Sequence, residues 1–346
     1  MKTAKIIACA VLALTAGTAD PHAATTSSGA VVVIWGCVGR PGVSSGNYGQ
    51  CTIPPVARSG VSAIAAGFAH DLALKAGRVL AWGCHGKSVD DGQCRVPAAA
   101  RSGVTAISAG GSHSLALKRG GVIAWGCGGP GVGTDLGQCT VPATAQSGVK
   151  AIAAGEHHSL ALKGGAVIAW GCADPAKIGL DAGECDVPPS ARSGVTAIAA
   201  GFNNSLAVKR GDVVAWGCTR ASNDSGQCRV PAAARSGVIA VAAGIDHSLA
   251  LRKNGGVVAW GCHGHGSDRG QCRVPPAARS GVVAIAAGGS QSLALKEDGT
   301  VVTWGCPTFL EPTPTGGHAC GVPVHAPGGT KAIAAGASDS IGLEAG

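Results

Sequence analysis

The chain has 346 residues, with 57 Gly, 15 Cys, 7 Trp, 3 Phe and 1 Tyr and a formal charge of +8. Apolar residues reach 46% and charged residues only 13%, half the usual charged share of about 25%. That combination excludes a collagen, a disordered tract and a long solvated helical protein. It points to many short strands joined by turns.

The first residues read as an export signal. Lys2 and Lys5 precede the apolar run from Ile6 to Ala16, and small residues follow at Ala19, Ala23 and Ala24, where cleavage is expected. No later apolar run approaches the ~20 residues that a membrane helix needs. The expected organisation is a signal peptide at 1–23 and one domain over 24–346, secreted or periplasmic.

Repeats dominate the rest. Trp-Gly-Cys begins at Trp35, Trp82, Trp125, Trp170, Trp216, Trp260 and Trp304, which uses every Trp in the chain. Before it come runs such as Val104-Thr-Ala-Ile-Ser-Ala-Gly110, His113-Ser-Leu-Ala-Leu-Lys118 and Gly121-Val-Ile-Ala-Trp-Gly126. A loop, a second Cys and usually Val-Pro come after it. Leu115 and Leu117 alternate with Ser114, Ala116 and Lys118, a period of two that belongs to strands. Lys-x-Gly steps such as Lys118-Arg-Gly120 supply hairpin turns. Four short strands per copy predict the blade of a β-propeller. Whole copies lie near 61–103, 104–148, 149–194, 195–237, 238–281 and 282–329. Residues 30–60 hold only the last two strands of a copy and 330–346 only the first two. Together they make a seventh blade, whose pairing of the two ends closes the ring and removes its edges.

The stretch Glu297-Asp-Gly-Thr-Val-Val-Thr-Trp-Gly305 and the Ala-Gly-x-x-His-Ser-Leu-Ala-Leu runs resemble the repeat of the regulator of chromosome condensation. The Val-Pro-x-x-Ala-Arg-Ser-Gly-Val connectors in an exported chain resemble the secreted bacterial propellers of this class that inhibit β-lactamase. The resemblance implies an all-β, seven-bladed propeller of four-stranded blades. It further implies a non-catalytic protein-binding role, for instance inhibition of a bacterial extracytoplasmic enzyme such as a class A β-lactamase.

Cysteine usage departs from that pattern. Apart from Cys9, they fall two per copy: Cys37 and Cys51, Cys84 and Cys94, Cys127 and Cys139, Cys172 and Cys185, Cys218 and Cys228, Cys262 and Cys272, Cys306 and Cys320. One pair per repeat in an exported chain reads as one disulfide per blade. Free thiols or a metal are the alternative, but two Cys per blade do not supply four metal ligands.

Strand parity puts the Gly-x-x turns and the Cys loops on one face of the ring, where the copies differ. Phe68, Glu156, His157, Phe202, Asn203, Ile245, Asp246 and Phe309 are the candidate partner-binding residues there. The other face repeats Lys75, Lys118, Lys163 and Lys209 with Arg58, Arg101, Arg192 and Arg235, and reads as a solvating surface. A polar residue opens every second strand (His70, His113, His158, Asn204, His247, Gln291 and Asp339) and is expected to satisfy its own turn by a hydrogen bond. No nucleophile–base pair or carboxylate pair breaks the repeat, so no catalytic residue, metal or cofactor is expected. The expected partner is a protein, with neither membrane nor nucleic acid, and the ring is expected to be monomeric. A carbohydrate-binding propeller is the alternative reading. Nucleotide exchange on chromatin does not suit an exported chain without a long insertion between blades.

Overall fold

The computed structural model describes residues 30–36, 47–85, 89–128, 135–172, 182–218, 224–263, 268–305 and 329–345. The period-two runs fold as antiparallel strands, three to a repeat. Strands β2 (Ala63–Ala66), β3 (His70–Lys75) and β4 (Arg78–Gly83) form one meander. Next come β5 (Val104–Ala109), β6 (His113–Lys118) and β7 (Gly121–Gly126), then β8 (Val149–Ala154), β9 (Ser159–Lys163) and β10 (Ala166–Trp170). The fourth meander is β11 (Val195–Ala200), β12 (Ser205–Lys209) and β13 (Asp212–Trp216), and the fifth β14 (Val238–Ala243), β15 (His247–Arg252) and β16 (Val257–Gly261). The sixth comprises β17 (Val282–Ala287), β18 (Ser292–Lys296) and β19 (Val301–Trp304). Two-residue turns such as Arg119–Gly120 (φ 51° and 77°) join second and third strands. Positive φ at both positions matches the strands' own twist.

The seventh sheet joins the two ends of the chain. Strand β1 (Val31–Trp35) pairs antiparallel with β21 (Ser340–Glu344), from Val31 opposite Glu344 to Trp35 opposite Ser340. Strand β20 (Thr330–Ala335) lies on the other side of β21.

Apolar packing lies between sheets and forms seven wedges. In one, Leu115, Leu117 and Val122 meet Val149, Ile152 and Trp170 of the next sheet. In the last, Ile341 and Leu343 of the terminal sheet meet Ala73 and Trp82 of the first. Each Trp is thus the floor of the wedge against the preceding blade. The ring is a seven-bladed propeller.

The expected fourth strand is not part of the ladder among the described residues. The described connectors after the third strands make a tight turn, as where Arg95 N–H donates to the Gly92 carbonyl at 2.9 Å. Pro97 then leads into the short 3-10 helix Ala98–Arg101. Proline has no N–H to give a ladder, and the carbonyl of Gln93 is taken from the side. Trp125 Nε1 donates to it at 2.8 Å and Ser114 Oγ at 3.3 Å. Both donors belong to the following blade, so the connector docks across the interface.

Candidate functional site

On one face the seven Gly-x-x turns meet around the axis. Gly67 N–H donates to the His70 carbonyl at 2.8 Å, which closes its own turn. Phe68 N–H then donates to Gly110 O at 3.2 Å, Gly111 to Gly155 at 3.0 Å and Glu156 to Gly201 at 3.1 Å. Phe202 donates to Gly244, Ile245 to Gly288, Gly289 to Gly336 and finally Ala337 to Gly67 at 3.1 Å. The series returns to its start, one backbone bond per interface. Only glycine fits the accepting position, because a Cβ at Gly67 would stand 2.6 Å from the Gly110 carbonyl oxygen.

The residues after these glycines form the rim: Phe68, Gly111, Glu156, Phe202, Ile245, Gly289 and Ala337. Phe68 is exposed and stacks with Tyr48, ring centroids 6.4 Å apart. Phe202, Ile245 and Glu156 are half-buried. A Cβ at Gly111 would lie 2.6 Å from Glu156 Cδ, so glycine there is what admits the carboxyl. Burial raises that carboxyl to about 7. His157 is half-buried and its imidazole is shifted down by burial, against the opposing charge of Asp91. Asp246 is raised by burial although Ser225 Oγ donates to it at 3.4 Å. Asn203 is buried at 8% exposure and leaves the contact surface to Phe202. Phe309 lies outside the described residues.

Five of the expected disulfides are formed: Cys84–Cys94, Cys127–Cys139, Cys172–Cys185, Cys218–Cys228 and Cys262–Cys272. Their Cα separations run from 5.9 to 6.3 Å, inside the range a disulfide spans. Cys51 is disulfide-bonded, while Cys37, Cys306 and Cys320 lie outside the described residues. Each described bridge ties the end of a third strand to the connector that docks on the next blade. Such bridges place the folded chain in an oxidising, extracytoplasmic environment. No helix among the described residues is long and apolar enough to cross a membrane.

The polar residues opening the second strands have a different task from the one expected. Their backbones close the turns, and their side chains bridge blades. His70 Nε2 meets Ser114 Oγ at 2.9 Å, His113 meets Ser159 at 3.0 Å and His158 meets Ser205 at 3.0 Å. Asn204 Nδ2 donates to Ser248 at 3.2 Å, and His247 meets Ser292 at 3.0 Å. Each serine hydroxyl donates onward to a connector carbonyl, as Ser159 does to Gln138 O at 3.2 Å. The imidazole Nε2 is therefore the protonated nitrogen, and burial holds His70, His113 and His158 neutral down to about 3. These are structural bridges, and no group of three His, Cys, Asp or Glu side chains among the described residues is arranged to hold a metal.

The residue before the second Cys anchors the connector to the next blade. Gln93, Gln138, Gln227 and Gln271, with Glu184, each accept the backbone N–H two residues earlier at 2.6–2.8 Å. Their own carbonyls receive the Trp indole N–H of the next blade. The recurring Gly-Gln-Cys and Gly-Glu-Cys triplets were the available signal. The basic face also has a structural part, since Lys75, Lys118, Lys163 and Lys209 donate to carbonyls in or beside the 3-10 helices at 2.8–3.0 Å.

The family model for the regulator of chromosome condensation (RCC1) repeat matches residues 238–267 and 282–309. The repeats at those two positions are of the RCC1 type. Prp20p of Saccharomyces cerevisiae, which binds Gsp1p and histones, superposes with a TM-score of 0.63 at 18% identity, covering 92% of each chain. Human WBSCR16 superposes at 0.58 and 18% identity, over 91% of this chain and 98% of its own. The CRINKLY ectodomain of the Arabidopsis thaliana receptor kinase ACR4 does so at 0.53 and 18%, over 80% and 90%. At these identities the likeness is one of fold. No curated protein matches the chain.

Proposed function

We propose that this RCC1-type propeller is an exported, non-catalytic protein-binding module that engages its partner with the turn face. The observation that carries this reading is the contrast between the two faces. The turn rim varies around the ring, with Phe68, Glu156, Phe202 and Ile245 set among Gly111, Gly289 and Ala337, on a backbone held by inter-blade hydrogen bonds and disulfides. The opposite face repeats the same lysine-to-carbonyl contact from blade to blade. A varied rim on a rigid ring is the arrangement in which recognition concentrates, and preorganisation lowers the entropy lost on binding. Protein binding by Prp20p supports this class of role. Inhibition of a class A β-lactamase is the more specific form of the proposal and draws on the connector resemblance.

The test is capture of a partner from bacterial secretions by the folded protein, alongside an inhibition assay on a class A β-lactamase. Phe68→Ala and Phe202→Ala should each weaken the captured complex by about 2 kcal/mol with the fold intact. Charge reversal at Lys118 and Lys163 should leave affinity nearly unchanged. Loss of binding from the lysine variants alone would overturn the assignment of the face, and competition by free sugar at several equivalent weak sites would favour a lectin.

A further inference from the structure

The inner strands of the seven blades enclose a channel along the ring axis. Its volume is about 450 Å³, within the range of pockets that take small organic ligands. The lining is mostly the alanines of the Ala-Ile-Ala-Ala-Gly runs. Ser108, a hydroxyl in that wall, is already engaged by Ala154 N–H at 3.0 Å. At the turn face the channel opens into a mouth of about 120 Å³ that shares the last alanine of each inner strand, from Ala66 to Ala335. The mouth is bounded by Phe68, Glu156, Phe202 and Ile245.

Glu156 is the one ionisable side chain lining that mouth among the described residues. Its carboxylate makes no ion pair with any of them. A partly desolvated carboxylate without a counter-charge is costly, and burial accordingly drives its proton affinity upward. A cation brought to the mouth would relieve that cost. Phe68 and Phe202 add aromatic faces, which favour an ammonium. At the far end the lining includes Lys331, which is exposed and solvated, so the desolvated charge of the channel is negative.

We propose that the axial channel is a binding site for an amphiphilic cation, whose alkyl chain lies against the alanine wall while its ammonium group sits at Glu156 between the phenylalanines. The site shares Phe68, Glu156 and Phe202 with the rim that the protein-binding reading uses, but its test needs no protein partner.

Calorimetric titration of the folded chain with octyltrimethylammonium chloride tests this, with octanoate and 1-octanol as the anionic and neutral counterparts. At pH 8 the cation should bind at least tenfold more tightly than octanoate. Glu156→Gln should weaken the cation about tenfold and leave 1-octanol within twofold. Cation affinity should rise between pH 6 and pH 8 in the parent chain and stay level in Glu156→Gln. Ala200→Leu, which fills the channel, should abolish binding of both the cation and the alcohol. If that variant perturbs the ring, the Glu156→Gln comparison decides alone, since it keeps side-chain volume. Absence of heat with the cation up to millimolar concentration, equal or tighter binding of octanoate, or indifference to Glu156→Gln would each overturn the proposal.

Discussion

Ser159 receives His113 Nε2 at 3.0 Å and donates to the Gln138 carbonyl at 3.2 Å. Trp170 Nε1 donates to the same carbonyl at 2.9 Å. One hydroxyl thereby joins a strand of one blade, a strand of the next and the connector between them. All three partners are buried, so removing the hydroxyl leaves an imidazole N–H without an acceptor. Ser159→Ala should lower unfolding free energy by about 1–3 kcal/mol in a denaturant titration. His113→Ala combined with Ser159→Ala should cost less than the sum of the two singles, because the orphaned donor is gone.

The connector is the element whose role the disulfides explain. Among the described residues it pairs in no ladder, and its hold on the next blade rests on the contacts around Gln138 or its equivalents and on single backbone bonds such as Gly128 N–H to the Asp91 carbonyl at 2.8 Å. Cys127–Cys139 closes a sequence separation of 12, for which chain entropy gives roughly 2–3 kcal/mol. Replacing both cysteines by serine should lower stability by about that amount. It should also raise amide exchange at the interface between β5–β7 and β8–β10 above exchange at the other interfaces. In the unaltered protein, denaturation without reductant should expose no alkylatable thiol at the ten cysteines of the described bridges. Appearance of free thiols there would remove the account of the connector.

Ring closure brings together two residues at opposite ends of the repeat series. Five interfaces pair a histidine or asparagine with a serine and at a sixth Gln291 Nε2 donates to the Asp339 carbonyl, whereas the closing one sets Asp339 against Asp71, both buried. Burial raises both carboxyls, and the Asp339 charge raises Asp71 further. Asp339 is moved to about 7, with the hydrogen bonds to Asp71 and Gln50 working the other way. The folded ring holds protons here that the unfolded chain releases near 3.8. This pair's contribution is therefore full below about 4 and is lost as pH rises through about 7. The buried histidines act in the opposite sense. Lowered from 6.5 to about 3 at His113, they contribute fully above 6.5 and lose it as the medium turns acid. Asp71→Ser together with Asp339→His restores the repeat's own pairing. That double variant should gain stability over the parent as pH rises from 5 to 8, measured by thermal unfolding across the range. A difference that does not change with pH would mean the two carboxyls do not share a proton.

Three strands of each blade, the blade number, the hairpin turns and the five described cysteine pairs were legible in the sequence, because each is set by a short-range pattern that recurs from copy to copy. Leu115 and Leu117 face one way for a reason contained in six residues, and Cys127 finds Cys139 across one loop. The matching of β1 with β21 followed from the split copy at the two ends. What an interface does was not legible, since its partners lie some forty residues apart and belong to different copies. His113 reads locally as a turn residue and becomes a bridge only when Ser159 is placed beside it. The connector reads as a fourth strand until its proline and its engaged carbonyls put it across two blades. Asp71 and Asp339 are unremarkable apart and form an acid pair only through closure. The channel, likewise, depends on the radius at which seven alanine strands stop approaching one another, a distance set by packing of the whole ring.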